Sequence, residues 1–335
     1  MNIINLSEMG VNWCWLKDEF ARTDLQWKHF TSQSIKFSSI VPKSALLARG
    51  ISAWQAVHQA KKNPSLIVSH GPRPAMCAGS VARILQPDLP HLVYSFNFTN
   101  LPTGLQRKVM AKAFQQPKRF VCFSTVEARL YAEYFDIPID KIDMLHWGVH
   151  APEKNFTDPA IVIGDYICAI GSQGRDYATL FAAMKKLPNI KLVSVCKTDN
   201  IRDLKVPSNV EIRTNVPLIE ANNILANSAF MVLPLRDSQV PCGHVTLVSA
   251  MFFQKALVIT NSEGVHDYIK ANETGVFCEP QNPSDLAEKI QLLWGDKAKR
   301  ENIANNGSCF ANKHCTEKTV VDYFRRFLNQ VLREI

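Results

Sequence analysis

Residues Gly243–Ile290 read GHVTLVSAMFFQKALVITNSEGVHDYIKANETGVFCEPQNPSDLAEKI. Within fewer than fifty residues this stretch runs helix, buried strand, loop, helix, Gly turn, strand and helix. Gly243-His244-Val245-Thr246 opens a helix whose first amides have no partner inside the helix, and such a start holds an anion through its free N–H groups. Ala256-Leu257-Val258-Ile259-Thr260 is an apolar, β-branched run of the kind found in parallel sheets buried on both faces. A phosphate-ready helix beside such a strand points to a nucleotide-type ligand at the carboxyl edge of an α/β sheet.

The same alternation extends outward. Strands are expected at Tyr166–Ile170, Lys191–Val195, Val210–Arg213 and Phe230–Leu233, with helices at Asp176–Lys186 and Ile219–Ala226. The first half repeats the pattern, with strands at Asn2–Leu6, Leu66–Val68, Leu92–Phe96, Phe120–Phe123 and Ile142–Leu145. Helices fall at Ile51–Lys62, Pro74–Leu85, Leu105–Phe114 and Thr125–Phe135. Strands alternating with helices imply parallel sheets covered on both faces. Ala151–Thr157 carries Pro152, polar residues and no periodic pattern, and reads as a linker. A chain of 335 residues also exceeds what one core usually serves. The reading is therefore α/β, with two Rossmann-like domains facing a cleft, 1–155 and 156–315. A last helix over 316–335 places Val320, Val321, Phe324, Phe327, Leu328 and Val331 on one face.

Gly243, Ala250-Met251, Lys255-Ala256-Leu257-Val258, Gly264, Asp267-Tyr268-Ile269 and Thr274-Gly275-Val276-Phe277 follow a known order. It resembles the donor half of retaining glycosyltransferases with the GT-B fold, in particular glycosyltransferase family four (group 1). There a Gly, Leu-Glu-Ala-Met, a Gly-Lys-Pro-Val strand, a Gly-Gly turn and a Gly-Leu-Leu-Val strand succeed one another. The resemblance is specific across Ile167–Ile290 and continuous but weaker over Ser65–Val149. It implies an acceptor-binding first domain, a nucleotide-sugar-binding second domain, and a C-terminal helix that crosses back to the first.

Composition bounds the partners. Hydrophobic residues make up 46% and charged residues 20%, ordinary values for a globular protein. No apolar run reaches the length of a membrane span, and MNIINLSEMG lacks the basic start and apolar core of a secretory signal. Nine scattered Cys without a Cys-x-x-Cys pair read as reduced thiols in a cytoplasmic protein. The net charge of +8 is uneven: residues 1–155 hold 18 Lys and Arg against 11 Asp and Glu, and residues 156–335 hold 20 against 19. Two readings of that basic half stand, an anionic partner or an ordinary solvated surface. Lys43, Arg49, Lys61-Lys62, Arg107-Lys108, Lys112 and Lys118-Arg119 would form a peripheral contact with an anionic membrane at its inner face. Nucleic acid is not expected, because no recognition motif or aromatic-basic platform occurs.

The candidate donor site has two parts. Ala169-Ile170-Gly171-Ser172-Gln173-Gly174-Arg175-Asp176 is a strand end, a Gly loop and a helix start. Gly171 lets backbone approach a ligand, and Arg175 can clamp a diphosphate by paired hydrogen bonds. Arg175 alternatively caps a carbonyl or pairs with Asp176. The second part is the Gly243, His244, Val245 and Thr246 helix start. In the resembling family a Lys follows the Arg, and two Glu with seven residues between them stand near the helix. Here no Lys follows Arg175, and the Glu positions hold Pro241 and Ser249. Ser249 can still bond a ribose hydroxyl, and Asp237 is a nearby carboxylate. Val216, in Thr214-Asn215-Val216-Pro217, falls where the nucleobase is often read.

In the first domain, Gly10 matches the small-residue loop bordering donor phosphates and acceptor. His70, after a buried strand, can bind acceptor, move a proton, or serve as a structural His. Asn97 stands where many family members carry a catalytic-site His; it can orient a substrate but cannot act as a base. Ser124 follows the fourth strand at the same edge. Asp-x-Asp is absent and no His/Cys spacing suggests zinc, so neither metal nor cofactor is expected.

The resemblance implies a hexosyl- or related glycosyltransferase. It would move a sugar from a UDP- or GDP-linked donor to the hydroxyl of a glycan or lipid-linked acceptor, with retention, in surface polysaccharide, lipopolysaccharide or glycolipid synthesis. The alternative is a non-catalytic or partner-dependent nucleotide-sugar binder, which Pro241 and Ser249 support.

Overall fold

The computed structural model describes residues 1–13, 15–21, 24–35, 44–149, 152, 160–236 and 240–334. Two compact units divide the chain. The first comprises Met1–Leu145 with Val320–Ile335, and the second His146–Thr319. The 151–157 linker and the 155/156 boundary read from sequence fall, apart from Pro152, outside the described residues.

In the first unit the order is β1 (Asn2–Ser7), β2 (Gln26–Thr31), α1 (Ser44–Ala60), β3 (Ser65–His70), α2 (Pro72–Leu85), β4 (His91–Tyr94), α3 (Gly104–Ala113), β5 (Arg119–Cys122), α4 (Thr125–Phe135) and β6 (Ile142–Met144). The six strands are parallel, in the order β2-β1-β3-β4-β5-β6. Every crossover from β2 onward moves the same way along the sheet, so right-handedness puts α1–α4 on one face. They pack there side by side. Ile4, Leu6 and Ile67 of the sheet meet Ala53, Val57, Ala78 and Ala82 of α1 and α2 in a buried core.

The opposite face is aromatic. The ring of Phe324 lies 5.2 Å from Trp15, 5.4 Å from Phe20 and 5.8 Å from Trp27. Phe324 belongs to the last helix, α10 below, which covers this face with buried Val320, Val321, Phe324, Phe327, Leu328 and Val331. Those positions recur every three or four residues, the stripe of a helix packed on one side.

The second unit runs β7 (Ile167–Ile170), α5 (Tyr177–Met184), β8 (Leu192–Cys196), β9 (Val210–Thr214), α6 (Leu218–Asn227), β10 (Met231–Leu233), α7 (His244–Phe252), β11 (Leu257–Thr260), β12 (Val276–Cys278), α8 (Pro283–Gly295) and α9 (Lys297–His314), and the chain closes with α10 (Glu317–Glu334). Its parallel sheet has the order β12-β11-β10-β7-β8-β9. Ile167, Ala169, Val232 and Val258 are buried against Tyr177, Leu180, Leu286 and Ile290 of α5 and α8. The chain thus forms two Rossmann-like units, with α10 beginning in the second and ending in the first.

Phe324 is fully buried among three aromatic rings. Phe324→Ala should therefore cost the first unit about 3–5 kcal/mol, read as a lowered urea midpoint by tryptophan fluorescence.

Candidate functional site

Ligands of open parallel sheets bind beyond the carboxyl ends of the strands, where the direction of strand order reverses. In the second unit that point lies between β7 and β10. The loop after β7 and the N-terminus of α7, which follows β10, meet there. Arg175 forms an antiparallel bridge with Leu235. Asp176 N–H donates to Pro234 O (3.0 Å) and Arg236 N–H to Gly174 O (2.9 Å).

Arg175 sits at the centre of this junction and is 4% exposed. Its Nη1 donates to Gln173 O (2.7 Å), its Nη2 to Thr246 Oγ1 (2.9 Å) and its Nε to Ile170 O (3.4 Å). The guanidinium lies against Gly171, whose φ is +120°; a Cβ there would stand 2.5 Å from Nη2. No carboxylate pairs with it among the described residues. Asp176 instead caps α5, accepting from Thr179 N–H (3.1 Å) and Thr179 Oγ1 (2.6 Å). Burial pulls the Arg175 pKa below its ordinary value, with Cys242 and Tyr177 acting the other way, but a guanidinium stays charged in proteins. Among the described residues three of its five N–H groups are engaged.

Gly243 caps α7 with φ +97° and no side-chain cap. A Cβ there would meet Leu235 at 3.1 Å and approach Arg175 Nη1 to 3.7 Å. The first helical bond of α7 runs from Leu247 N–H to Gly243 O (3.0 Å). The amides of His244, Val245 and Thr246 precede it, so they carry the positive end of the helix dipole next to the buried cation. This junction suits a group with several anionic oxygens.

The structure brings together Gly171, Arg175, Gly243 and the backbone of His244–Thr246. The Thr246 hydroxyl accepts from Arg175, so it positions the cation. The His244 ring turns away, its Nε2 bonding Gly264 O (2.9 Å) with the Tyr268 ring tilted beside it at 5.0 Å; that ring anchors the loop after β11. Ser249 lies one turn in from Thr246, and its hydroxyl donates back to Val245 O (2.8 Å). Pro241 packs on Gly264. Val216 follows β9, two strands from β7. Asp237 lies outside the described residues. Cys242, in contact with Gly174, was not singled out by sequence, since its neighbour lies 68 residues away.

The first unit has its own reversal point, between β1 and β3. Beside it opens a cavity of about 450 Å³ lined by Glu8, Arg73, Asn97, Thr99, Thr103 and Gln106, among others. Asn97 lines it, as its place after β4 predicts. Gly10 is exposed in the loop after β1, accepting from Trp13 N–H (3.0 Å). Glu8, which pairs with Arg49, and Gln106 carry no motif and escape sequence reading. The cavity loop is braced from behind. Phe98 N–H donates to Tyr131 Oη (3.2 Å), which donates to Glu127 Oε1 (3.0 Å). Burial pushes the Glu127 pKa up to about 7, against its hydrogen bonds from Tyr131, Phe123 and Ser124. Ser124 is fully buried as the N-cap of α4, accepting from Glu127 N–H (3.1 Å), rather than facing the edge.

His70 ends β3 as expected, but Trp13 and Trp15 wall its ring at 4.7 and 4.9 Å. Its Nε2 is buried without a partner. Burial, and then His29, pulls its pKa down to about 3. A ring so held is neutral at pH 7 and weakly basic, which suits packing better than proton transfer. Among the described residues no cluster of His, Cys, Asp or Glu is placed to hold a metal ion.

Residues 176–309 match the family model described as glycosyl transferases group 1. The chain resembles the group 1 glycosyltransferases. It is 28% identical over 114 residues to an uncharacterized glycosyltransferase of Methanocaldococcus jannaschii, covering 34% of this chain and 32% of that one. It is 28% identical over 112 residues to N,N'-diacetylbacillosaminyl-diphospho-undecaprenol alpha-1,3-N-acetylgalactosaminyltransferase of Campylobacter jejuni, covering 33% and 29%. The chain thus spans about a third of the length of these curated relatives. The structure of Anabaena Alr3699/HepE in complex with UDP superposes with a TM-score of 0.74 at 14% identity, covering 98% of this chain and all of that one. The fold is GT-B.

The buried histidines set a pH dependence. His91, bonded to Ser69 Oγ (2.7 Å) and Gln116 Oε1 (3.1 Å), is pulled by burial to about 4, Gln116 opposing. With folded pKa values below the unfolded value, the unfolded chain takes up protons first as pH falls. The stability these rings provide is present above about pH 6.5 and is lost toward pH 4 and 3. The thermal midpoint should fall between pH 6.5 and 4.5, with a shallower slope in His70→Phe. An unchanged slope in that variant would show that His70 titrates as freely in the folded chain as in the unfolded one.

Proposed function

We propose that the chain is a glycosyltransferase that takes a sugar from a nucleoside diphosphate sugar and passes it to a hydroxyl acceptor. The observation that carries this reading is the buried Arg175 guanidinium, which has no carboxylate partner among the described residues, set between Gly171 and the free amides of α7. A diphosphate supplies the missing negative charge. As the bond from the anomeric carbon to the diphosphate oxygen breaks, charge grows on that oxygen. Preorganised N–H donors stabilise it more in the transition state than in the bound donor.

In this mechanism Arg175 and the His244–Thr246 amides neutralise the leaving group without a metal ion, and the leaving phosphate takes the proton of the attacking hydroxyl. Resemblance to retaining enzymes favours retention at the anomeric carbon. In this reading Ser249, on the Thr246 face of α7, meets the ribose, and Val216 borders the base. The acceptor belongs to the first-unit cavity. Asn97, Thr99 and Gln106 there offer amides and a hydroxyl to a polyol, and Asn97 orients the attacking group. The donor nucleoside is uridine in this reading, because the similar Anabaena fold is crystallised with UDP and UDP-glucose. The Campylobacter relative is named for a diphospho-undecaprenol acceptor, and a lipid-linked glycan in surface polysaccharide or glycolipid synthesis is the acceptor class proposed.

A second reading rests on Pro241, which packs on Gly264 where a sugar-binding carboxylate is expected: the chain binds nucleotide sugar without turning it over. Thermal unfolding with UDP, GDP, ADP and CMP, without added metal, tests the site. UDP at a hundred times its Kd should add about 2.7 kcal/mol of stability, and the other nucleotides much less. Arg175→Ala should weaken UDP about 10–100-fold, and Gly171→Ala should do the same by displacing the guanidinium. No shift with any nucleotide would sink the site. A shift with UDP but no release of UDP from its sugar conjugates, with any hydroxyl acceptor, would select the non-catalytic reading.

A further inference from the structure

A second cavity of the first unit lies away from its strand-order reversal, at the edge strand β6. It encloses about 440 Å³, within the range of small-molecule sites. The start of β5 and all of β6 form one wall, and α10 forms the other. Val121 pairs with Asp143, and side chains alternate along strands, so Arg119, Asp143 and Leu145 share one face of the sheet. On α10, Tyr323, Arg326, Phe327 and Gln330 recur every three or four residues and stand on one side of the helix. Both sets of side chains line the cavity.

The two walls are joined by a bond between residues far apart in sequence. Tyr323 Oη donates to Asp143 Oδ2 (2.7 Å) across 180 residues. Burial, and then Asp143, hold the Tyr323 pKa above its ordinary value, while Arg119 and Arg326 act the other way. The phenol therefore stays protonated as the donor, and both guanidiniums lie within electrostatic reach of it. Arg119 is anchored in turn by a bond from its Nη1 to Asp140 O.

The charges lining the cavity do not balance. Two guanidiniums accompany one carboxylate, and Asp143 accepts from a neutral phenol. Among the described residues neither arginine has an ion pair, and Arg326 has no hydrogen bond. One exposed arginine would be unremarkable. Two that line the same cavity, with a phenol, an amide and an oriented carboxylate beside them, make a recognition surface with one net positive charge.

We propose that this cavity binds a phosphorylated polyol, with Arg119 and Arg326 holding the phosphate and Asp143 and Gln330 holding the hydroxyl groups. Guanidiniums match phosphate oxygens through paired hydrogen bonds. A carboxylate would repel a phosphate that bound alone, but it accepts strongly from the hydroxyls of an attached polyol. Asp143 has room for them, because two carboxylate oxygens accept about four bonds and Tyr323 supplies one. Phe327 and Leu145 offer an apolar wall to the carbon skeleton. An acidic peptide would satisfy the arginines but set its carbonyl oxygens against Asp143. The inference does not depend on the transferase reading. Its residues belong to the first unit alone, and its lining is separate from that of the proposed acceptor cavity.

The test is isothermal titration of the full chain with glucose 6-phosphate, inorganic phosphate and glucose. Glucose 6-phosphate should bind most tightly, inorganic phosphate more weakly, and glucose not detectably. Arg119→Gln and Arg326→Gln should each weaken glucose 6-phosphate about 10–100-fold. Arg326 is exposed, so the ligand-free thermal midpoint of Arg326→Gln should match that of the parent chain. Arg175→Ala controls for phosphate held at the donor site and should leave glucose 6-phosphate binding unchanged. Asp143→Asn should tighten inorganic phosphate and narrow the advantage of glucose 6-phosphate over it. Phenylglyoxal labelling read by mass spectrometry gives the location: glucose 6-phosphate should protect Arg119 and Arg326. No binding of glucose 6-phosphate, an equal loss in Arg175→Ala, or no protection of either arginine overturns the proposal. Equal affinity for inorganic phosphate and glucose 6-phosphate overturns the assignment of a polyol. UDP binding by Arg326→Gln should be unchanged, so failure here is distinct from failure of the donor site.

Discussion

A buried guanidinium held by neutral oxygens is the constraint around which the second unit is organised. Removing a charge from water is costly unless hydrogen bonds or counter-charge replace the lost solvation. Among the described residues Arg175 receives three protein oxygens and no counter-charge. Two of those oxygens belong to its own loop, and the third, Thr246 Oγ1, belongs to α7. The cation therefore joins the end of β7 to the start of the helix after β10, the two elements that the strand order already places side by side. Gly171 and Gly243 are required because a side chain at either would meet the guanidinium or Leu235. Incomplete compensation is useful at a binding site, since an anionic ligand then completes electrostatics that the fold leaves open.

Much of this was legible in the sequence because parallel strands buried on both faces leave continuous apolar runs. Ile167–Ile170, Leu257–Thr260 and the amphipathic Glu317–Glu334 helix announce themselves that way. Strand β2, Gln-Trp-Lys-His-Phe-Thr, does not: it lies at the sheet edge, is half-exposed, and mixes aromatic with charged residues. Helix α1 begins at Ser44, seven residues before the expected start, because its exposed Leu46, Leu47 and Ile51 blur the period that sequence reading relies on.

The site was half legible for the same reason. Local grammar exposes Gly171, Arg175 and the α7 start, since a strand end, a glycine and a helix start are contiguous in the chain. Long-range packing hides the rest. The position of His70 after a buried strand suggested an accessible ring, but Trp13 and Trp15 enclose it from a segment with no periodic pattern. His244 sits at the right helix start, yet Gly264, twenty residues on, holds its ring. The Glu127–Tyr131–Phe98 relay joins α4 to the loop after β4 and leaves no motif.

The two units also show how one architecture yields two kinds of edge. Each reverses its strand order once, and each starts a helix at that point from a glycine N-cap, Gly71 for α2 and Gly243 for α7. In α7 the next three residues all carry an N–H, and a buried cation lies beside them. In α2 they are Pro72, Arg73 and Pro74, and two of the three have no N–H to offer. The adjoining cavity is lined in part by the amides and hydroxyls of Asn97, Thr99, Asn100, Thr103 and Gln106. Proline thus removes from α2 the anion-binding donors that α7 keeps. One helix start keeps donors suited to anionic oxygens, and the other does not.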